Sequence, residues 1–296
     1  MTRALEAFAK VNRSLVVLGK RPDGYHEIDT LFQTIDLSDE LLFEEDDGLS
    51  LSIAGGAIPA GGTNLVLRAA RALSERAGGA RGARLHLVKR IPVGAGLGGG
   101  SADAAATLLG LNALWGLGLT VEQLRPVAAS VGSDVAFFLF GGRARGTGRG
   151  ERIEPLPDLP DESLVLLLPP FGMPTPEVYG ALGAPLLPAG SPLRTAGEPP
   201  PDRNDLEPAA ERLRPELSAL RASLRAAGAA SARLSGSGST VFGVFPSPEE
   251  ARRAAEALDG RDGVRAAVTR TISRADWSRR AVPWRPAGGA VTEALR

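Results

Sequence analysis

The chain has 296 residues, which is enough for two domains or one large domain with a substantial core. Its 34 basic and 34 acidic side chains cancel, so the composition gives no sign of a surface for nucleic acid or for an acidic membrane. The absence of cysteine excludes disulfides, thiolate metal sites and cysteine nucleophiles. No apolar run reaches the roughly 18 residues of a membrane helix, and the first eight residues lack the apolar core of a signal peptide, so we expect a cytoplasmic protein.

The first 55 residues predict consecutive β-strands separated by tight turns. An Asp-Asp-Gly turn at 46–48 predicts a hairpin between the last two strands. Another turn, Arg-Pro-Asp-Gly at 21–24, places Tyr25 and His26 just beyond its tip. A helix capped by Thr63 follows. The strands are expected at 11–18, 28–35, 41–45 and 49–53, and the helix at 64–77.

The most informative stretch is residues 92–101, Pro-Val-Gly-Ala-Gly-Leu-Gly-Gly-Gly-Ser, with five glycines in ten residues. A strand-like alternation precedes it at 84–91, and a helix-forming run follows it at 102–114. Glycine lets the backbone approach a ligand closely, while the unpaired N–H groups of the first helical turn carry the positive end of the helix dipole. The order strand, glycine loop, helix therefore predicts an anion site suited to phosphate.

Three familiar kinds of glycine-rich segment fit this loop less well. A P-loop needs Gly-Lys-Ser/Thr at its end, and this loop ends Gly-Gly-Ser without lysine. The spacing of Gly94, Gly96 and Gly99 matches a dinucleotide fingerprint, but that motif requires a second parallel strand, whereas a capping box at 120–123 predicts another helix. A flexible connector rarely runs directly into a helix that has Ser at its start.

The second half of the chain predicts a smaller domain of antiparallel strands and helices. Residues 151–163, rich in proline and acids, predict an interdomain connector, and the Pro-, Gly- and Ala-rich segment 184–203 predicts a poorly ordered loop. A capping box at 247–250 fixes the start of one helix. The pattern suggests a ferredoxin-like domain. Its strands are expected at 164–168, 241–245 and 264–271, and its helices from 174 onward and over 205–227 and 248–258.

Five segments of the chain together closely resemble the GHMP small-molecule kinase superfamily, over about residues 7–273. The glycine loop and the Ser-Gly-Ser-Gly run are shared across that superfamily. Ala-Lys-x-Asn and the Gly-Tyr-His after the turn at 21–24 are specific to the branch that phosphorylates 4-diphosphocytidyl-2-C-methyl-D-erythritol in non-mevalonate isoprenoid biosynthesis. The segments are Ala-Lys-Val-Asn at 9–12, Arg-Pro-Asp-Gly-Tyr-His at 21–26, Lys-Arg-Ile-Pro at 89–92 with the glycine loop, Gly-Ser-Asp-Val at 132–135 and Leu-Ser-Gly-Ser-Gly at 234–238.

The resemblance implies an α+β, two-domain GHMP kinase fold. Residues 1–155 would form an N-terminal ATP-binding and catalytic domain of mixed α/β structure with a left-handed βαβ unit. Residues 156–276 would form a C-terminal ferredoxin-like substrate domain, and residues 277–296 a flexible tail.

The resemblance also implies an activity and the residues that carry it. The reaction would be ATP-dependent phosphorylation of the substrate's 2-hydroxyl, with Lys10 and Asp134 as the catalytic pair. By pattern alone, Asp134 before an apolar run is more often a cap or turn residue. The expected ATP contacts are Asn64, Leu65, Lys89, Pro92, Val93, Gly94, Ala95, Gly96, Leu97, Gly98, Gly99, Gly100, Ser101 and Ala102. The expected substrate contacts are Asn12, Tyr25, His26, Thr175, Tyr179, Ser235, Gly236 and Gly238.

In this family two aromatic side chains sandwich the cytosine ring, and the chain's only tyrosines, Tyr25 and Tyr179, fall at those positions. Mg²⁺ is expected with ATP, but the pattern supplies no clear carboxylate ligand for it, and Ser101 is the one candidate. The expected partner is a small molecule carrying a cytidine diphosphate group, with no nucleic acid or membrane, on a monomer or weak homodimer.

Two alternatives stay open at this point. The first is another GHMP kinase, acting on homoserine or a mevalonate derivative, which has no reason to keep Tyr25, His26 and Tyr179. The second is a nucleotide-sensing module without catalysis, which should have lost Lys10 or Asp134.

Overall fold

The computed structural model describes residues 3–55, 60–79 and 81–281. The strands are β1 (Arg3–Lys20), β2 (His26–Glu44), β3 (Leu49–Ala54), β4 (Ala83–Val88), β5 (Arg143–Gly148), β6 (Arg152–Pro155), β7 (Ser163–Leu168), β8 (Ser231–Leu234), β9 (Val241–Phe245) and β10 (Arg265–Arg270). The helices are α1 (Leu65–Arg76), α2 (Gly99–Leu114), α3 (Val121–Val131), α4 (Thr175–Leu182), α5 (Glu207–Leu213), α6 (Glu216–Ala226), α7 (Pro248–Leu258) and α8 (Arg274–Ala281).

The first sheet has the order β3-β4-β2-β5-β6, with β1 paired antiparallel to β2. Strands β3 and β4 are parallel neighbours joined through α1, which gives the expected βαβ unit. The hairpin predicted at 46–48 is wrong, because β4 lies between β2 and β3 and pairs with both. An Asp-Asp-Gly turn can equally carry the chain one strand further along a sheet, and local sequence does not distinguish the two outcomes.

The helices α1, α2 and α3 cover one face of this sheet with a large apolar core. Helix α2 is buried along most of its length, and its Gly110 lies so close to Phe43 that a Cβ would come within 2.3 Å of the ring. Helix α1 is capped by Asn64, whose side chain accepts a hydrogen bond from the Val66 N–H, rather than by the expected Thr63 one residue earlier. The capping box at Thr120 is confirmed at the start of α3.

The second sheet has the order β10-β7-β9-β8 with every pair antiparallel. With helices after the first and third of its strands, this is the ferredoxin-like arrangement expected from the pattern. A separate core cluster joins the two sheets. It consists of Ala9, Val11, Ile35, Ile91, Ala95, Leu97, Leu164, Leu166, Leu168, Phe242 and Val244, and so includes two residues of the glycine loop.

The segment 184–203, expected to be poorly ordered, runs along the edge of β1 instead. The Lys20 N–H donates to the Pro185 carbonyl at 2.8 Å, and the Leu15 N–H donates to the Arg203 carbonyl at 2.7 Å. Between these points, the buried Asp29 carboxylate accepts hydrogen bonds from Arg145 and from Thr195. The backbone groups on the outer edge of β1 therefore offer partners to a proline-rich segment that has few N–H donors of its own.

Helix α8 begins before the tail expected at 277–296, and Trp277 within it is 2% exposed and part of the first core. The first five residues of that predicted tail are thus helical and packed, while 282–296 lie outside the described residues. The connector expected at 151–163 starts with β6. Across the described ranges, no helix is long and apolar enough to cross a bilayer.

Candidate active site

A cleft of about 1110 Å³ is lined by residues from both halves of the chain. Its lining includes every predicted site residue except Ala102 and Ser235, which are buried beneath it. The cleft also contains side chains to which the sequence pattern assigned no role. They include Lys20, Asp23, Asp103, Ser133, Met173 and Arg149.

The glycine loop between β4 and α2 has a backbone that requires glycine. Gly94, Gly96 and Gly98 have φ of +68°, +76° and +72°, in the left-handed region that side chains rarely adopt. At Gly96 a Cβ would lie 2.2 Å from the Ser235 carbonyl oxygen, and at Gly98 it would lie 2.7 Å from the Phe138 ring. The loop ends at the first turn of α2, whose first N–H groups have no partner within the helix, which is the backbone arrangement that an anion site requires.

Lys10 and Asp134 come from different elements of the fold and meet in this cleft. Lys10 comes from β1 and Asp134 from the turn after α3, and Lys10 Nζ lies 3.6 Å from Asp134 Oδ2. The lysine side chain is 4% exposed, whereas the aspartate is 32% exposed and therefore accessible to a substrate. Burial lowers the pKa of Lys10, and the charge of Asp134 opposes that shift.

Asn12 fixes the position of the lysine. Lys10 Nζ donates to Asn12 Oδ1 at 2.5 Å and to the Gly96 carbonyl at 3.1 Å. Asn12 in turn donates to the Thr30 hydroxyl at 2.8 Å. The ammonium is therefore held between the aspartate and the glycine loop.

Each tyrosine at the other end of the cleft has one side chain packed against the face of its ring. The Arg149 guanidinium lies 4.6 Å from the centre of the Tyr25 ring, and Tyr25 is 53% exposed. Tyr179 stacks on His26 with ring centres 4.7 Å apart and an interplanar angle of 30°. Burial, with the charge of Lys20 adding to it, lowers the pKa of His26, which keeps its ring neutral near pH 7.

Lys89 touches the cleft, but its side chain is almost completely buried beside the glycine loop. It contacts Asp39, and its Nζ lies 2.8 Å from Asp103 Oδ2; all three side chains are less than 5% exposed. Asp39 also accepts the backbone N–H of Ile91 at 2.8 Å, just before the loop. Burial, together with the charge of Asp39 against the attraction of Lys89, raises the pKa of Asp103 to about 8.

The turn at 235–238, which carries the Ser-Gly-Ser-Gly run, closes the cleft from the second sheet. The Ser235 hydroxyl donates to the Gly96 carbonyl at 3.0 Å, and the Thr240 N–H donates to the Ala95 carbonyl at 3.1 Å. On the outer side, the Ser237 and Thr175 hydroxyls are 2.9 Å apart. The two glycine turns therefore form one continuous wall.

The expected GHMP architecture is matched by comparison with known proteins. The model of the GHMP kinases N terminal domain matches residues 64–142, and that of the GHMP kinases C terminal domain matches residues 193–264. A 4-diphosphocytidyl-2-C-methyl-D-erythritol kinase from Pelotomaculum thermopropionicum is 44% identical over 279 residues, covering 90% of this chain and 97% of the relative. The chain belongs to this family of GHMP kinases.

Solved structures agree with that assignment. The crystal structure of a 4-(cytidine 5'-diphospho)-2C-methyl-D-erythritol kinase superposes with a TM-score of 0.75 at 44% identity, covering 92% of this chain and 99% of the other. A homoserine kinase from Cytophaga hutchinsonii has a TM-score of 0.67 at 22% identity over 92% and 95% of the two chains, which shows the shared fold alone. As a member of this family the chain is a small-molecule kinase, with ATP as the phosphate donor.

Proposed function

We propose that this kinase transfers the γ-phosphate of ATP to the 2-hydroxyl of 4-diphosphocytidyl-2-C-methyl-D-erythritol, which yields the 2-phosphate and ADP. The observation that supports it most is the composition of one cleft. One end holds the glycine loop with Lys10 and Asp134, and the other holds Tyr25, His26 and Tyr179. The cleft therefore has one end suited to the phosphates of a donor and another suited to the cytidine of an acceptor.

At the phosphate end, the backbone N–H groups at the start of α2 would bind the nucleotide's phosphates. Positioned donors and fixed dipoles stabilise the charge that spreads over the oxygens of the transferring phosphoryl group. Lys10 adds a positive charge at the same point, because its Nζ already contacts the Gly96 carbonyl of the loop. Asn64 and Leu65 line the neighbouring wall, where the adenine would lie.

Asp134 would orient the attacking 2-hydroxyl. As the oxygen bonds to the γ-phosphorus and the bond to the ADP oxygen breaks, the hydroxyl proton passes to the aspartate. The ammonium of Lys10, 3.6 Å from Asp134 Oδ2, would hold that carboxylate facing the hydroxyl. In a loose transition state this transfer occurs late, so orientation contributes more than basicity.

Mg²⁺ would accompany the nucleotide. It prefers phosphate oxygens and water with one or two protein ligands, and the Ser101 hydroxyl in the first turn of α2 lines the cleft where one such ligand is needed. Bound there, the ion would neutralise charge on the phosphates. Within the described residues, no group of three or more His, Asp or Glu side chains could hold a metal ion on its own.

At the cytidine end, Tyr25 and Tyr179 would stack on the cytosine, each contact stabilising the complex by about 1–3 kcal/mol. The neutral His26 would offer hydrogen bonds to the polar edge of the base. Arg149 and Lys20 line the same cleft and would supply positive charge for the diphosphate. A homoserine or mevalonate substrate would use none of these groups.

The test is an ADP-release assay with four acceptors: the cytidine diphosphate substrate, homoserine, mevalonate, and methylerythritol 4-phosphate, which lacks the cytidine. We expect the first to have the highest kcat/KM, by about 100-fold or more, because two stacking contacts of this size are lost in the others. Preference for homoserine or mevalonate would assign the chain to another GHMP kinase. ATP binding without turnover of any acceptor would favour the nucleotide-sensing alternative.

A further inference from the structure

The segment that follows the loop at 184–203 contains a buried amide that no catalytic role explains. Asn204 is 8% exposed and bridges to Leu15 on β1. Its Nδ2 donates to the carbonyls of Leu234 at 3.0 Å and Gly236 at 2.8 Å, and its Oδ1 accepts the Leu206 N–H at 3.0 Å. Both amide protons and the oxygen are therefore engaged, with two of the three bonds directed at the turn at 235–238 and the strand end before it.

That turn lies against the phosphoryl-transfer machinery. Gly236 has φ of +57°, and a Cβ there would lie 3.2 Å from Asn12 Oδ1 and 3.4 Å from Lys10 Nζ. One residue earlier, the Ser235 hydroxyl shares the Gly96 carbonyl with Lys10 Nζ. A displacement of the turn would therefore move the surface against which the Lys10 ammonium is packed.

We propose that Asn204 is a positioning residue for phosphoryl transfer. By binding two carbonyls of the strand end and turn, it keeps the turn pressed on Lys10 and on the glycine loop. This rests on the proposed function, since it takes Lys10 to be catalytic. The effect of Asn204 on the reaction passes through Gly236, which its amide binds directly.

The chain supplies a matched control in the next residue. Asp205 lies in the same segment, and its Oδ2 accepts the Val17 N–H at 2.9 Å, so it also binds the segment to β1. Its Oδ1 accepts a hydrogen bond from Arg203 at 2.7 Å, so the carboxylate faces β1 and its own segment rather than the turn at 235–238. Truncating either side chain removes hydrogen bonds from the same place in the fold, but only Asn204→Ala frees the turn.

The experiment compares wild type, Asn204→Ala and Asp205→Ala in melting temperature, in kcat for ADP release and in affinity for cytidine diphosphate by calorimetry. We expect kcat of Asn204→Ala to fall at least about tenfold, since small misplacements of catalytic groups have effects of this size. The affinity for cytidine diphosphate should stay within about twofold, because Asn204 acts on the phosphate end of the cleft. Asp205→Ala should keep kcat within about twofold of wild type, while its melting temperature should be similar to that of Asn204→Ala.

Asn204→Asp serves as a second variant of the same shape without the N–H donors, and the same loss of kcat is expected from it. Wild-type kcat in Asn204→Ala, or an equal loss in Asp205→Ala, would overturn the positioning role while leaving the proposed function intact. If both Asn204 variants fail to fold, the residue acts on stability and the proposal is wrong. Wild-type chain that releases no ADP from the proposed substrate would contradict the proposed function and this assignment with it.

Discussion

Lys10 shows how much of the site depends on one buried charge. Its side chain is almost completely removed from water, and burial lowers its pKa by disfavouring the ammonium form. Three partners compensate: the carboxylate of Asp134, the amide of Asn12 and the carbonyl of Gly96. The charge is therefore kept in one place, between Asp134 and the glycine loop.

Single residues at the cytidine end were predictable only in part. Tyr25 and Tyr179 stand out because the chain contains no other tyrosine, and a resemblance gives them a role. Arg149 belongs to a glycine- and arginine-rich run in which no one arginine differs from its neighbours by pattern. Its place over Tyr25 follows from the pairing of β5 with β2, which local sequence does not specify.

Truncation of Tyr179 tests the stacking role. Tyr179→Ala should raise KM for the cytidine diphosphate substrate about 5- to 150-fold, which is the loss of one stacked base at about 1–3 kcal/mol, and should leave KM for ATP within about twofold. Tyr179→Phe is the control and should behave as wild type, because a ring is retained. Steady-state kinetics with each substrate varied in turn gives both constants. An unchanged KM in the alanine variant would exclude Tyr179 from the cytidine site.

At the scale of elements, the glycine loop is held from three directions. Its own apolar residues pack between the two sheets, the turn at 235–238 bonds to its carbonyls, and the cluster of Asp39, Lys89 and Asp103 fixes the strand end and the start of α2. The loop and its helix were predictable because glycine spacing and helix propensity are local signals. The cluster was not, because it joins β2, the end of β4 and α2.

The same limit explains the wrong hairpin. Alternation predicted most of the strands in the first 55 residues, yet it could not show that 28–35 and 41–45 belong to one strand or that β4 would insert beside it. In the ferredoxin-like half the pattern predicted β7, β9, β10 and α7, whose start is fixed by the Ser247 side chain accepting the Glu250 N–H. It missed the short strand β8, and the helical region expected at 205–227 is two helices, α5 and α6. Sheet order is a property of the assembled chain, and no local pattern states it.

In the buried cluster of Asp39, Lys89 and Asp103, we expect replacement of the lysine to be costly and replacement of Asp103 to be tolerated. Lys89→Met leaves two carboxylates buried together and should lower the free energy of unfolding by about 3–5 kcal/mol. Asp103→Asn leaves the Lys89 and Asp39 pair balanced and should be tolerated. Urea denaturation of both variants at pH 7 measures the difference, and equal stabilities would contradict the assigned cluster.

The pH dependence of Asp103 can be worked out from its shift. Its pKa rises from 3.8 to about 8 on folding, so the folded state binds the extra proton. This contribution to stability is fully present below 3.8 and is lost as the pH rises to about 8. The free energy of unfolding of wild type should therefore fall between those limits relative to Asp103→Asn. If the free energy of unfolding changed with pH in the same way in both proteins, that result would contradict the raised pKa of Asp103.

At the scale of the whole molecule, the end of the described chain returns to the first sheet. Trp277 of α8 is buried against Gly141, where a Cβ would lie 2.2 Å from the indole, and Arg280 pairs with Glu6 and Asp36. This docking was hard to predict from the sequence, since α8 has only eight residues and follows β10 after three residues. It joins the last described element of the fold to the strand that carries Lys10.

Removal of that indole tests the docking. Trp277→Ala should lower the free energy of unfolding by about 3–5 kcal/mol, the usual cost of emptying a buried aromatic site. Trp277→Phe should lose less, because the ring still fills part of the space. Urea denaturation followed by circular dichroism gives both values. A loss below about 1 kcal/mol in the alanine variant would mean that α8 is not packed on the core in solution.

The proposed chemistry depends on Asp134 and Lys10 facing a nucleotide held by the glycine loop. The most direct measurement is the turnover of Asp134→Asn with the cytidine diphosphate substrate, together with its affinity for ATP by calorimetry. We predict that kcat falls at least about 1,000-fold, since the hydroxyl loses its orienting carboxylate, while ATP affinity stays within about threefold because the loop is intact. A variant that retains wild-type turnover would contradict the catalytic role of Asp134.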